Sequence, residues 1–151
     1  MDRIRITKKF IKKTFNNTSK GLKFKTFGSS MWPLIETGDE IEVIYKDISR
    51  LNKGDIIVIE NNGKYISHRI IQTQPIFKIK GDNTQKCDRL KINENNYMGT
   101  VISIHKKRFN LTLNSKHLRI YYFIFKIFGK NIKYANILRN FILKRKNGKN
   151  N

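Results

Sequence analysis

Three short stretches of the 151-residue chain contain the residue types that hydrolytic chemistry uses. Ser30 follows an alternating run that predicts a strand and precedes Pro33, which fixes its own φ and indicates a turn. His68 lies within a second predicted strand, and the loop of residues 81–89 carries two carboxylates. A serine hydroxyl is a weak nucleophile that needs a base, and an imidazole held by a carboxylate is suited to that task. The three stretches therefore indicate a nucleophile, a base and an orienting acid on separate segments.

Each stretch taken alone is typical of ordinary structure. A Ser-Ser-Met sequence is common in loops, and a histidine among isoleucines is more often a strand residue whose ring is satisfied by its neighbours. Asp82 after a glycine is typical of a solvated turn in which the carboxylate caps backbone amides. The catalytic interpretation therefore rests on the combination of the three stretches in one small domain.

The charge of the chain is concentrated at its two ends. The formal net charge is +21. Residues 1–27 hold nine Lys or Arg and one acid, residues 28–100 hold ten of each sign, and residues 101–151 hold thirteen Lys or Arg and no acid. The neutral middle argues against nucleic-acid binding as the main activity, so no nucleic-acid partner is expected. The basic arms instead predict an anionic membrane surface as a partner, although the lysine-rich, alanine-poor composition is also typical of AT-rich coding bias.

The cysteine and histidine content predicts a protein without a cofactor or a metal ion. Cys87 is the single cysteine, which excludes an internal disulfide and a cysteine-based zinc cage, and the three histidines are widely spaced. The longest apolar run, residues 120–125, is far shorter than the roughly 20 residues that span a bilayer, and no signal-peptide pattern is present. These features predict a cytoplasmic protein, with peripheral membrane attachment through the basic arms as the alternative.

The elements that must position the three stretches are mainly short strands, which favour a small antiparallel β domain. Asn61-Asn62-Gly63 predicts a tight hairpin, and Gly99 predicts a bulge or a close backbone approach. The predicted strands cover residues 22–27, 40–45, 56–60, 64–73, 76–80 and 97–105. The predicted organisation is a basic N-terminal segment (1–21), a β catalytic domain (22–110), a basic apolar segment of one or two helices (111–146) and a disordered tail (147–151). The helices are predicted either to pack on the body or to lie on an anionic membrane.

The order and spacing of five boxes resemble the type I signal peptidase family. These boxes are Ser30-Met31-Trp32-Pro33, Gly38-Asp39, His68-Arg69, Gly81-Asp82-Asn83 and Asp88-Arg89. The resemblance covers about residues 22–104, and the His-Arg box is similar to the endoplasmic-reticulum, archaeal and spore-former subtype, in which histidine replaces the lysine base. It implies a β domain of the signal-peptidase catalytic-core type, acting on a peptide or precursor-protein substrate after small residues.

The resemblance also implies roles for individual residues. Ser30 would be the nucleophile, His68 the general base and Asp88 the carboxylate that orients it, with Asp82 contributing through loop geometry and hydrogen bonds. The backbone N–H of Ser30 would be one oxyanion donor. Many members carry a second donor serine where this chain has Gly28, so the second donor is Ser29, a backbone amide or missing. The remaining box residues, expected to be structural, are Met31, Pro33, Arg69, Gly81 and Asn83.

Several biological roles remain open at this point. Family members usually carry a membrane anchor before the serine, whereas residues 1–27 are basic, which favours a cytoplasmic leader-peptide substrate over a secretory one. Self-cleaving repressors are a rival class, but they use a lysine base and cut Ala-Gly or Cys-Gly bonds, and neither dipeptide occurs here. The third alternative is a catalytically decayed basic module that binds anionic membrane or nucleic acid.

Overall fold

The computed structural model describes residues 21–88, 90–107 and 109–113, and these form an antiparallel sheet with almost no helix. This confirms the predicted mainly β class. The short 3-10 helix Ile48–Arg50 is the one helical element of the described ranges. The strands are β1 (Leu22–Lys25), β2 (Glu40–Ile44), β3 (Ile56–Asn61), β4 (Lys64–Gln72), β5 (Lys78–Lys80), β6 (Tyr97–Lys106) and β7 (Phe109–Thr112).

The strands follow the order β1-β2-β6-β3-β4-β5, and β7 pairs with β6. Every pairing along this path is antiparallel. Four successive reversals separate β1 from β4, so these two strands run in the same direction although they are not hydrogen-bonded neighbours. The rings of Phe24 on β1 and Tyr65 on β4 nevertheless lie 6.1 Å apart. The sheet is therefore curled, and its curl brings β1 towards β4.

The hairpin between β3 and β4 sets the position of the histidine. Asn62 and Gly63 both have positive φ, at 51° and 80°, the combination that a tight two-residue hairpin turn requires. The pairing runs without a register shift from Asn61 opposite Lys64 to Ile56 opposite Arg69, which places His68 opposite Ile57. Because side chains alternate along a strand, this register decides the side of the sheet to which the imidazole points.

The hydrophobic core lies around β3, whose first four residues are all buried. Isoleucine and valine suit such a strand because their branched side chains pack well on a pleated surface. A cluster of buried residues holds β3 against its neighbours: Leu51, Ile57, Ile59, Ile70, Ile79 and Tyr97. The buried hydroxyl of Tyr97 forms a 2.8 Å hydrogen bond with the hydroxyl of Thr100, so it has a polar partner within the core.

Gly99 is required by a close backbone approach, as predicted. A Cβ at this position would lie 2.6 Å from the carbonyl oxygen of Ile44, and the φ of Gly99 is +154°. The register between β3 and β6 also shifts beside it, between Val58 and Ile59. Any larger residue would push β2 away from β6, which would widen the sheet at its centre.

Several predicted boundaries differ from the structure. β1 ends at Lys25 and not at residue 27, and β5 begins at Lys78 and not at residue 76. β7 was not predicted, and it occupies residues 111 and 112, where the helical segment was expected to begin. The rest of that segment, the tail and all but the last residue of the N-terminal segment lie outside the described residues. Within the described ranges, no helix is long and apolar enough to cross a membrane.

Candidate active site

Ser30 lies on a corner that follows β1. The N–H of Trp32 donates to the Ser29 carbonyl at 3.1 Å, and the N–H of Leu34 donates to the Met31 carbonyl at the same distance. The side chains of Met31 and Pro33 are buried, whereas Ser30 is half-buried. The apolar residues after the serine thus anchor the corner to the core and hold the hydroxyl at the protein surface.

His68 projects from β4 towards this corner and is almost fully buried, with 6% of its surface exposed. Its Nδ1 contacts a carboxylate oxygen of Asp88, and its Nε2 lies 3.1 Å from the Ser30 hydroxyl oxygen. With Nδ1–H donating to Asp88, Nε2 is free to accept the serine proton. The three side chains form one hydrogen-bonded chain within the reach that proton transfer requires.

The loop between β5 and β6 carries Asp88 and is clamped to the serine corner. The N–H of Asn83 donates to the Ser30 carbonyl at 2.7 Å, and its side-chain amide donates to the Ser29 carbonyl at 3.2 Å. The Thr84 hydroxyl closes the loop by donating to the Gly81 carbonyl at 2.9 Å. The N–H of Asp88 donates to the Ile79 carbonyl at 2.9 Å. Ser30 and Asp88 are therefore held by the same short network of hydrogen bonds.

Gly81 is the point of closest contact between this loop and the site. A Cβ on Gly81 would lie 2.6 Å from the Ser30 carbonyl oxygen and 3.0 Å from Nε2 of His68. Cβ atoms in proteins essentially never lie closer than 3.0 Å to a non-bonded heavy atom. Only glycine lets the loop approach the serine and the imidazole together at this distance.

Arg69 and Asp82 form a buried ion pair beside the site. The guanidinium donates through Nε and Nη2 to both oxygens of Asp82, at 2.7 and 2.6 Å, and through Nη1 to the Gly54 carbonyl at 2.9 Å. Their side chains are only 1% and 4% exposed. Asp82, predicted among the catalytic residues, is thus engaged by Arg69, and among the described residues no hydrogen bond joins it to Ser30 or His68. The pair fastens the loop to β4, next to His68.

The backbone around Ser30 leaves donors for an oxyanion. The N–H of Gly28 is taken by the Thr37 hydroxyl at 3.0 Å, and that hydroxyl donates back to the Gly28 carbonyl. Within the described ranges, the N–H groups of Ser29 and Ser30 have no hydrogen-bond partner. Gly28 offers no side-chain donor, and two adjacent backbone N–H groups, those of Ser29 and Ser30, are available beside the Ser30 hydroxyl.

The Gly38-Asp39 box forms hydrogen bonds that hold the segments on either side of the Ser30 corner. Asp39 is buried, and its carboxylate accepts from the Glu36 N–H at 2.8 Å and from the ammonium of Lys106 at 2.6 Å. The same turn is joined to the chain before the serine, since Gly38 donates to the carbonyl of Thr26 at 2.9 Å. The box has a structural function here: it ties the segment after the corner to β6.

A groove of about 520 Å³ opens beside Ser30, between β1 and β4. Its walls come from one continuous segment leading to the serine and another leading to the histidine, and its floor comes from β2 and β3. The lining residues are Phe24, Lys25, Thr26, Phe27, Ser30, Ile41, Val58, Lys64, Tyr65, Ile66 and Ser67. Because Ser30 is among these residues, an extended chain lying in the groove would pass beside it.

Neither the residues that line the groove nor the structural roles of two threonines were predicted from the sequence. Thr37 and Thr84 make the hydrogen bonds that shape the corner and the loop, and a threonine following Gly-Asp-Asn is a recognisable turn signal. The groove had no such signal. β1 and β4 are far apart in sheet order, so no local pattern relates Phe24 to Tyr65.

Residues 1–102, more than half of the chain, match the model of the Peptidase S24-like family. The chain therefore belongs to this family, and it is at this level a serine peptidase. The family match is common to signal peptidases and repressor-type peptidases and does not separate the two. A comparison with curated proteins yields no match.

Proposed function

We propose that the protein is a signal peptidase-like endopeptidase that cleaves a leader or signal peptide after small residues, with Ser30 as nucleophile and His68 as general base. The observation that carries the proposal is the 3.1 Å separation of the Ser30 hydroxyl from Nε2 of His68, with the Asp88 carboxylate on the opposite ring nitrogen. A hydroxyl, an imidazole and a carboxylate in this order are what acyl transfer needs.

In the first half of the reaction, the Ser30 oxygen attacks the carbonyl carbon of the scissile bond while Nε2 of His68 takes its proton. The negative oxygen of the tetrahedral intermediate is stabilised by the N–H of Ser30 and of the residue before it, an interaction for which each donor contributes roughly 3 kcal/mol. The imidazolium then protonates the departing amine. The C–N bond breaks and an acyl ester remains on Ser30.

In the second half, water replaces the amine. His68 takes a proton from water, the resulting hydroxide attacks the ester, and the proton returns to the Ser30 oxygen as the acid product leaves. Asp88 keeps the imidazole in the tautomer that exposes a lone pair at Nε2 and stabilises its protonated form. Arg69 and Asp82 act as positioning residues, because they hold the loop and do not touch the reacting atoms.

The groove supports an extended peptide as substrate. β1 is at the edge of the sheet, and β5 pairs only with the second half of β4, from Arg69 onward. Backbone groups on β1 and on the first half of β4 are therefore available to an added strand, the arrangement by which sheet edges bind peptides. The apolar floor of Ile41 and Val58 favours small apolar side chains over charged ones.

The identity of the base favours the signal peptidase type over the repressor type. The serine hydroxyl lies against an imidazole, and among the described residues no lysine ammonium forms a hydrogen bond with Ser30. The chain also has no Ala-Gly or Cys-Gly bond at which to cut itself. Cleavage in trans is therefore proposed, of a separate leader or precursor.

The proposal is tested with a peptide library containing small residues and with two inactivating variants. Ser30→Ala and His68→Ala should each abolish cleavage, whereas Ser49→Ala and His105→Ala should leave it unchanged, since these two residues lie elsewhere in the fold. Circular dichroism checks that all four variants are folded. Near-normal turnover by Ser30→Ala or His68→Ala would refute the mechanism. A shortened mass of the wild-type protein on incubation alone would indicate self-cleavage instead.

A further inference from the structure

The lining of the groove has a charge that the body of the protein lacks. Residues 28–100 hold equal numbers of acidic and basic residues. The eleven residues that line the groove include two lysines, Lys25 and Lys64, and no carboxylate. The lining therefore carries two positive charges and no negative one, and a bound chain with negative charge would be favoured there.

Each lysine is the sequence neighbour of one of the two aromatic residues whose rings lie 6.1 Å apart across the groove. β1 and β4 run in the same direction, and each leads towards the site: Lys25 comes five residues before Ser30, and Lys64 comes four residues before His68. Lys64 and His68 both lie in β4, so about 13 Å of strand separates them at about 3.3 Å per residue. β1 ends at Lys25, so the five residues from Lys25 to Ser30 cross the corner and can span at most about 18 Å. An extended peptide in the groove covers the same distance with about four residues.

Both ammonium groups lack an acidic partner within the described ranges. Glu40 is opposite Lys25 in the β1–β2 register, but its carboxylate is bound to Lys23 at 2.9 Å. Lys64 begins β4 at the end of the hairpin, and it forms no ion pair among the described residues. Lys25 and Lys64 are exposed, so their charges are available to a ligand without any prior bond being broken.

We propose that Lys25 and Lys64 form a specificity site for an acidic side chain of the substrate, about four residues from the scissile bond. The inference rests on the proposed function and adds the class of substrate: a peptide with small residues at the cut and an Asp or Glu at the far end of the groove. The arms of this chain do not fit that description, because the four residues after Asp2, the single acid of residues 1–20, include no small residue, and residues 114–151 contain no acid. The site therefore also favours a separate substrate over the enzyme's own termini.

The test compares peptides that differ at one position. A cleavable small-residue peptide is synthesised with Glu, Gln or Lys at each place from two to six residues on either side of the cut. One position should favour Glu over Lys by about tenfold in kcat/KM at low salt. Each exposed ion pair contributes about two- to fivefold, so Lys25→Glu or Lys64→Glu alone should reduce the preference and the double variant should reverse it. The preference should shrink in 0.5 M salt.

The matched control is Lys91→Glu, which makes the same charge change at an exposed residue outside the groove lining and should leave the preference intact. The milder double variant Lys25→Gln/Lys64→Gln should remove the preference without reversing it, which keeps the test valid if the Glu variant fails to fold. An unchanged preference in folded Gln or Glu double variants, or an equal change in Lys91→Glu, would overturn the inference.

Failure of the proposed function is distinguished by a binding measurement. Fluorescence anisotropy of the labelled peptides with the Ser30→Ala variant reports groove binding without cleavage. If no peptide is cleaved by the wild type, the proposed function fails, whereas Glu-selective binding that depends on Lys25 and Lys64 would still support the specificity site. Binding to Ser30→Ala without discrimination between Glu and Lys peptides would refute it.

Discussion

Replacing Gly81 by alanine tests whether the site works at the distances described above. The added Cβ would lie 2.6 Å from the Ser30 carbonyl oxygen, and ordinary contact begins at 3.4 Å, so the loop and the serine corner must separate by about 0.8 Å. The same Cβ presses on Nε2 of His68 at 3.0 Å. A displacement near 1 Å at reacting groups can cost about 100-fold in rate. We therefore expect kcat/KM to fall about 30- to 100-fold, or roughly 2–3 kcal/mol in the activation free energy.

The assay for Gly81→Ala combines peptide cleavage with the rate at which a fluorophosphonate labels the serine hydroxyl, which needs no knowledge of the natural substrate. Gly38→Ala is the matched control. Gly38 has a φ of +90° and no atom within 4 Å of its would-be Cβ, so the variant should lose about 1 kcal/mol of stability from backbone strain and keep its labelling rate. Wild-type labelling and cleavage by folded Gly81→Ala would show that the loop does not hold the reacting groups.

Three further predictions address the acids, the core and the basic arms. Asp88→Asn should reduce kcat on the order of 10³-fold or more with little change in Tm, because it disturbs the imidazole tautomer. Asp82→Asn should instead destabilise the fold by about 3–5 kcal/mol, because Arg69 is left as a poorly paired buried charge; the reverse pattern would exchange the two roles. Burial raises the pKa of the Tyr97 phenol, so its contribution to stability should be complete below about pH 10, the usual tyrosine value, and should be lost as the pH rises further and the unfolded state ionises. Chemical denaturation at several pH values should show that the free energy of unfolding falls less at alkaline pH in Tyr97→Phe than in the wild type. At neutral pH the variant should be about 1 kcal/mol less stable, because the hydrogen bond to Thr100 is lost. An equal alkaline fall in both proteins would show that Tyr97 is not its cause. Because of its basic arms, the protein should co-sediment with anionic but not with neutral vesicles, and the bound fraction should fall in high salt. Equal binding to both kinds of vesicle would remove the electrostatic explanation.

The sequence by itself determined the features that depend on local backbone chemistry and on residue type. The positive φ values of Asn62 and Gly63 follow from the Asn-Gly pair, and this hairpin sets the register that aims His68. The close approach at Gly99 was predicted for the same reason, since only glycine tolerates it. The chemical types and their order along the chain were sufficient to select Ser30 and His68 as candidates, because few combinations of residues can activate a hydroxyl.

Only the tertiary structure decided how residues far apart in the chain are paired. Asp82 and Asp88 share one loop, and their spacing alone does not tell which carboxylate meets the imidazole, although the family resemblance favoured Asp88. In the structure the buried guanidinium of Arg69 engages Asp82 and leaves Asp88 for His68. The groove has the same origin, because curling of the sheet brings β1 towards β4 across three intervening strands. Local propensity acts over a few residues, whereas these contacts depend on how the whole sheet twists and packs, and that is set by the sum of the core contacts.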